Sequence, residues 1–517
     1  MGVGKSYRRG MVKVAIAYPA SSRVALQSLS VHLIKKLVDG FANVYSDFVF
    51  MDGDQYVGLA SGAPLRSFDI VIFSVHYELD YPRILRMMEV SGISPWGSER
   101  GDGDPLVVMG GPTLMANPEP MAPFADLVLV GDAEVLIPSL LSNYEVHGRD
   151  LEGYVGLPGF YVPSFGKHRV VKAYVRDLAY STGLIHDTAI NMRLSGVGVF
   201  GRSAVVEVMR GCPRGCLFCM EGFVARPVRF VGVDGVRRVV ARDVERGLID
   251  GVSLVGLSVG DHPGFRELLR FLVRELGVGV SVPSLRVDTL DDELLGLIAE
   301  GGQRVLTIAP ESSERLRVFL GKGFSDDDVV NLAVKLRGLG FTHLKLYFMV
   351  GLPGETDDDI KSIITLLGRL RGVGVGVSLS VNPWIPKPHT PLQWLPMESE
   401  GVVRGRVRAL RGSRYYDSFS SYNYFDAVVQ ALLSLGDRDV ARVVFDASLT
   451  SMDRGSWRRL LRRYNDLVDK YVYSVKSLDG VLPWDHIEIP GAEKAVLRGL
   501  LLRFVGELGV DLFGGVR

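Results

Sequence analysis

The chain has 517 residues, 47% of them hydrophobic. That is length for about three domains at roughly 150 residues each, and material for more than one buried core. Its 59 basic residues balance 59 acidic ones, so no global field draws it onto nucleic acid or an anionic membrane, and no run of about 18 apolar residues offers a membrane span.

Met1–Gly10 is short and basic, and the apolar run after it, Val12–Ala17, is too short for the core of a secretory signal. The expectation is a cytoplasmic protein. Val12–Ala17, Phe68–Ser74, Pro105–Met109 and Asp126–Gly131 read as strands. Leu26–Leu37, Ile84–Val90 and Val135–Leu141 have helical spacing between and after them. Continuous apolar strands alternating with helices predict a parallel sheet covered on both faces. Residues 11–145 are therefore expected to form a doubly wound, Rossmann-like α/β domain that binds ligands at the carboxyl ends of its strands. Those ends are Tyr18-Pro19, Ser74–Glu78, Gly110–Pro112 and Gly131–Glu134.

Residues 146–200 are irregular and rich in Gly and Pro, and read as a linker. A second β/α series follows over 201–395. Strands fit Ala204–Met209, Val252–Leu257, Gly279–Val282, Arg304–Ile308, His343–Met349 and Val375–Val381. Helices fit Asp234–Arg246, Phe265–Leu276, Asp291–Ala299, Asp326–Leu339 and Glu355–Leu370. Five strand–helix units and a sixth strand predict a partial (β/α)6 barrel with all strands parallel and its chemistry at their C-terminal ends. Residues 396–517 read as a helical C-terminal region, with an arginine-studded helix at Arg454–Arg463 and a loop at Leu482–His486.

The three cysteines of the chain, Cys212, Cys216 and Cys219, lie within eight residues. The spacing is C-x3-C-x2-C, directly after the first barrel strand, with Gly211, Pro213 and Gly215 letting the backbone curl. Three thiolates are a soft ligand set that suits an iron–sulfur cluster or zinc. Structural zinc takes four ligands, and no fourth Cys exists and no His stands within thirty residues of Cys219. A [4Fe–4S] cluster on three cysteines leaves one iron open to a small molecule. Zinc completed by a distant residue and three unliganded buried cysteines are the plainer alternatives.

The cysteine motif, with Phe218 before its last Cys, resembles the radical SAM superfamily. The resemblance extends through Glu207–Gly211, Gly222-Phe223, Arg226–Arg229, Pro283–Asp288, Ala309–Glu311, Lys345–Pro353 and Pro386–Pro391. Ser74–Asp80, Gly110–Pro112, Asn117–Pro120, Leu435–Arg438 and Pro483–His486 are similar to the subfamily with an N-terminal B12-binding-type domain. The resemblance implies that Cys212, Cys216 and Cys219 ligate a [4Fe–4S] cluster whose open iron holds S-adenosylmethionine, and that Phe218 sits beside the adenine. The place of the superfamily's Gly-Gly-Glu is taken by Gly256–Asp261, so backbone carbonyls, Ser258 or Asp261 would receive the methionine ammonium. Arg286 and Asp288 follow the third strand; Arg suits a carboxylate, and a local ion pair between the two is the alternative. Glu311 is a candidate ribose or substrate contact, against a salt bridge to Arg315 or Arg317. Gly351, in Gly351–Gly354, would let backbone approach the adenine.

For the first domain the resemblance implies cobalamin, with Ser74, Gly110 and Gly111 beside its tail. The cobalt-binding D-x-H-x-x-G pattern is absent, and a domain without the cofactor is the alternative; His76, the nearest His, reads as a rim residue. The implied reaction is reductive cleavage of S-adenosylmethionine and functionalisation of an unactivated C–H bond, with methyl transfer if cobalamin is bound and rearrangement or cyclisation if not. The implied partner is an external one-electron donor of the ferredoxin or flavodoxin type. RNA methylthiolation is a rival that needs a second three-Cys cluster, for which no cysteines remain. A non-catalytic zinc or iron–sulfur scaffold or sensor is another. Arg454, Arg458 and Arg462 share a helix face that reads as an RNA contact or as a solvated, salt-bridged surface.

Overall fold

The computed structural model describes residues 5–53, 55–178 and 203–509. They divide into two compact units, each assembled from separated stretches. The first takes residues up to 202 with 432–468 and 481–490; the second takes 203–431, 469–480 and those from 491 onward. The C-terminal region is thus shared between the two units instead of standing apart as a helical domain.

The first unit is built on six strands: β1 (Val12–Tyr18), β2 (Val44–Phe50), β3 (Ile70–Ser74), β4 (Leu106–Gly110), β5 (Leu127–Leu129) and β6 (Phe160–Tyr161). Their order is β2-β1-β3-β4-β5-β6, parallel except for β6, which runs antiparallel to β5. Val14, Ile16, Ile70, Ile72, Leu106 and Val108 form one core with Leu37 and Val38 of the helix Leu29–Asp39 and Leu136 and Leu140 of the helix Ala133–His147. Each such side chain contributes about 1.5–3 kcal/mol by leaving water. The helix Tyr81–Val90 packs on Ala441–Ser448, which the chain supplies from far downstream. The doubly wound parallel sheet expected from the sequence is present.

Two of its strands escape the sequence pattern. β2 is buried along its length, yet Ser46 and Asp47 interrupt its apolar run. Both polar groups are satisfied. Asp47 accepts from the backbone of Phe48, Ala60 and Ser61 and from the Ser61 hydroxyl, and Ser46 donates to Asp39 at 2.6 Å. β6 lies in the stretch that reads as a linker. There, Gly and Pro turn the chain between short strands: β6 extends the sheet, and β7 (Val170–Val171) pairs with β17 (Ile487–Glu488). The remainder of that stretch, 179–200, lies outside the described residues.

The second unit opens with β8 (Ser203–Glu207) and a small antiparallel ribbon of β9 (Met209–Arg210) and β10 (Arg229–Phe230). Then come β11 (Gly251–Val255), β12 (Gly279–Ser281), β13 (Val305–Glu311), β14 (His343–Val350), β15 (Gly376–Pro383) and β16 (Ser418–Ser421). Pairing is parallel throughout, in the orders β12-β11-β8 and β13-β14-β15-β16. A single parallel bridge from Leu285 to Ile308 joins the two sets. Among the described residues no pairing connects β8 to β16, so the series is open. Helices Val233–Glu245, Phe265–Arg270, Asp292–Glu300, Asp326–Gly338 and Asp357–Val373 separate the strands, as expected. β16 is a seventh strand, following the helix Glu400–Gly412 in the region expected to be helical; Ser-Phe-Ser-Ser at a sheet edge carries no apolar run.

Gly111 shows how tightly the first unit closes at its strand ends. Its φ is 135°, and a Cβ there would stand 2.0 Å from the Val75 carbonyl oxygen. Gly111→Ala should destabilise the protein by about 2 kcal/mol or more and lower the melting temperature by roughly 4 °C or more. Gly101→Ala, which meets nothing within 4 Å, should leave it unchanged; equal melting curves would show that the backbone contact yields.

Candidate functional site

The cysteine loop starts where β9 ends. Gly211 makes the turn with φ of 84°, and a Cβ there would press within 2.8 Å of the Pro227 carbonyl oxygen and 3.0 Å of that of Ala225. Arg210 locks onto Glu207 with two hydrogen bonds, at 3.0 and 2.8 Å. Within the loop the Cys219 N–H donates to the Cys216 carbonyl at 3.0 Å, and the Leu217 N–H donates to the Leu320 carbonyl at 3.2 Å. All three cysteines are free and half-buried.

Burial pushes all three thiols up, Cys219 to about 12. Mutual repulsion adds to this: Cys216 feels Cys212, and Cys219 feels both others. Lys322 and Arg286 oppose it at Cys216. Among the described residues no three His, Cys, Asp or Glu side chains converge as a single-ion site. An iron–sulfur cluster fits the donor set on other grounds: it distributes its thiolates over separate irons, and here three soft donors on one loop face cationic neighbours.

Ions from the following strand ends gather around the loop. Arg214, inside the C-x3-C gap, donates through Nε to Asp261 at 2.9 Å and reaches Asp288 at 3.3 Å. Asp261 also accepts from Ser258 at 2.6 Å. Burial alone would raise the Asp261 carboxyl, but the bonds from Arg214 and Ser258 outweigh it and hold the group below the usual range. Arg286 grips Asp288 through Nε and Nη2, both at 2.9 Å, while its Nη1 lies 3.9 Å from the Cys216 sulfur. Lys322 donates to Glu311 and to the Ala309 carbonyl, both at 2.7 Å, and stands 5.9 Å from the centre of the Phe218 ring.

The structure thus brings Phe218, Ser258, Asp261, Arg286, Asp288 and Glu311 into contact networks around the cysteine loop. It forms the local Arg286–Asp288 pair. Glu311 pairs with Lys322, whereas Arg315 engages Asp359 and Arg317 engages Asp326. Sequence reasoning misses Arg214 and Lys322, although each has a signal: one lies between two cysteines, the other between Gly321 and Gly323. Gly351 belongs to a different knot. Its N–H donates to Glu355 at 2.6 Å, and Glu355 accepts from Arg406 at 2.7 Å. A Cβ on Gly351 would meet Val403 at 2.9 Å.

In the first unit Ser74 ends β3 and stands opposite Gly110 at the end of β4. The Ser74 hydroxyl, the Ser30 hydroxyl and His76 Nε2 form a triangle with sides of 2.9, 3.0 and 3.0 Å. The absent side chain of Gly111 is accounted for by the Val75 backbone. Arg454, Arg458, Arg459, Arg462 and Arg463 are exposed on their helix, with Trp457, Leu460 and Leu461 buried beneath and Arg463 paired to Asp446 at 2.8 Å. No helix among the described residues is long and apolar enough to cross a membrane.

Residues 206–367 match the family described as the radical SAM superfamily, and residues 48–163 the one described as radical SAM proteins, N-terminal. The chain is 30% identical to the uncharacterized protein MJ0966 of Methanocaldococcus jannaschii over 439 residues, 84% of this chain and 90% of the relative. It is 25% identical to the uncharacterized methyltransferase PH0819 of Pyrococcus horikoshii over 292 residues, 51% of this chain and 58% of that one. Among solved structures it is similar to the radical S-adenosylmethionine methyltransferase TsrM of Kitasatospora setae with cobalamin and a [4Fe–4S] cluster bound, at a TM-score of 0.56 and 15% identity over 74% of each chain. That likeness is one of fold.

Glu355 gives a pH test of the Gly351 knot. Burial pushes its carboxyl up to about 7, against the bonds from Gly351 and Arg406 that favour its charged form. Unfolding restores the ordinary 4.5. In that interval the folded protein holds the proton more tightly than the unfolded chain, so the group's contribution is full below the lower value and fades as pH rises through the upper. The stability advantage of the native protein over Glu355→Gln should therefore shrink by about 3 kcal/mol across that interval in denaturant titrations. An advantage independent of pH would show that Glu355 stays ionised.

Proposed function

The chain belongs to the radical SAM superfamily, and we propose that this enzyme reductively cleaves S-adenosylmethionine at a [4Fe–4S] cluster on Cys212, Cys216 and Cys219 to functionalise an unactivated C–H bond. The observation that carries the reading is the cysteine loop itself. It follows the first strand of an open parallel series, and its own Arg214 is joined by Asp261, Arg286, Asp288 and Lys322 from later turns. Bound there, a cluster charged by an external one-electron donor would supply the electron that releases a 5′-deoxyadenosyl radical for hydrogen abstraction.

The chain's own residues bind and orient. Arg214 and Arg286, each braced by a carboxylate, offer cations to the methionine carboxylate. Ser258 and Asp261 offer oxygens to the ammonium. Phe218, beside Lys322, gives the adenine an apolar face. Ser74, Gly110 and Gly111 at the rim of the first unit would hold cobalamin, which would supply methyl-transfer chemistry, the reaction we favour. The name of the Pyrococcus relative and the cobalamin-bound methyltransferase of like fold support it.

Anaerobically reconstituted protein should carry four irons per chain and form 5′-deoxyadenosine when dithionite is supplied. It should also retain added hydroxocobalamin through gel filtration. Cys216→Ala should lose cluster iron and cut 5′-deoxyadenosine formation by about 100-fold or more. One zinc per chain with no cleavage would sink the reading, as would a Cys216→Ala protein that cleaves at the native rate; loss of the corrin on the column would sink the methyl-transfer part alone.

A further inference from the structure

Two ion pairs stand at the cysteine loop: Arg286–Asp288 beside the Cys216 sulfur and Lys322–Glu311 beside the Phe218 ring. The Arg286 fork is divided: Nε and Nη2 hold Asp288 at 2.9 Å, and the remaining Nη1 is 3.9 Å from the Cys216 sulfur. The guanidinium therefore stands between the carboxylate and the thiol. Lys322 is anchored by Glu311 and the Ala309 carbonyl, both at 2.7 Å, and its side chain is only 10% exposed. The turn that carries it is seated on the cysteine loop. Leu217 N–H donates to Leu320, and Gly321, with φ of 90°, is so close that a Cβ would stand 3.3 Å from the Gly215 carbonyl oxygen and 3.5 Å from Cys216 Cα.

We propose that Arg286 and Lys322 are positioning residues that tune the reduction potential of the cluster at its Cys216 corner. This rests on the cluster reading of the preceding subsection. Reduction adds one electron from an outside donor and makes the cluster more negative by one charge, with no bond made or broken. A cation held near the ligating sulfur, away from bulk water, stabilises that reduced state more than the oxidised one. The Asp288 carboxylate holds the far side of the Arg286 fork, so that pair acts as a dipole with its positive end toward Cys216, and Glu311 anchors Lys322 beside Phe218 of the same loop.

The test is a redox titration of the reconstituted holoprotein with dithionite and mediators, followed by electron paramagnetic resonance, without substrate. Lys322→Met and Arg286→Gln should keep four irons per chain. Poised at the native midpoint potential, each should show a reduced-to-oxidised ratio about tenfold lower, a shift of about 59 mV for one electron. Lys322→Arg and Arg286→Lys should stay within about twofold of native. Neutral variants that hold four irons and titrate with the native protein overturn the inference. So does loss of the cluster in both, because that marks the two residues as structural clamps. A native protein that binds no four-iron cluster overturns the reading beneath it instead.

Discussion

Three thiols crowded into eight residues repel one another once ionised, and burial makes each thiolate costlier still. The surroundings of the loop answer that constraint. Arg214, Arg286 and Lys322 are brought in as counter-charges, and each is held by a carboxylate so that it does not wander into solvent. Glycines stand where backbone must come close: Gly211 lies against the Ala225–Pro227 carbonyls, and Gly321 against Gly215 and Cys216. The backbone of the loop is thereby packed on both sides, which spares a ligand the ordering of a flexible segment.

Residues far apart in sequence meet here because the strands are parallel and follow one another in chain order. Every strand then delivers its C-terminal end to the same rim. Cys212 follows β8 and β9, Ser258 and Asp261 follow β11, Arg286 and Asp288 follow β12, and Glu311 closes β13. The Leu285–Ile308 bridge has a particular part in this. It ties the turn carrying Arg286 to β13, whose last residue is Glu311, the partner of Lys322, and so couples the two parallel sets beside both ion pairs.

The sequence displays strands and helices wherever burial is apolar and continuous, which covers most of both sheets. It hides β2, because Ser46 and Asp47 are buried with the support of a local hydrogen-bond network that no periodicity reveals. It hides β16, because a four-residue polar edge strand has no hydrophobic face to read. The return of residues 432–468 and 481–490 to the first unit is likewise invisible. It depends on tertiary contacts such as Asn117 donating to the Ser434 and Gly436 carbonyls, and Arg438 donating to the buried Glu119 at 2.7 Å. The cysteines announce themselves by spacing. Arg214 and Lys322 carry a weaker signal, a cation between two cysteines and a cation between two glycines, and only the fold shows what each pairs with.

The position of Lys322 is itself determined by a strained neighbour. Glu311 adopts φ of 69°, a conformation that costs a non-glycine residue about 1–2 kcal/mol. It persists because Arg317, wholly buried, stitches the segment down. Its guanidinium donates to the carbonyls of Pro310, Ser312 and Phe324 at 3.2, 3.0 and 3.1 Å and to Asp326 at 2.8 Å. One side chain thereby fixes both the bend at Glu311 and the turn that ends at Phe324. Lys322 lies between those two fixed points, and its ammonium closes the circuit to Glu311. Relaxing Glu311 to an ordinary φ would swing its carboxylate off Lys322 and leave the ammonium with the Ala309 carbonyl alone. The bend at Glu311 therefore places its carboxylate where it holds a cation beside the cysteine loop, against the pull of water.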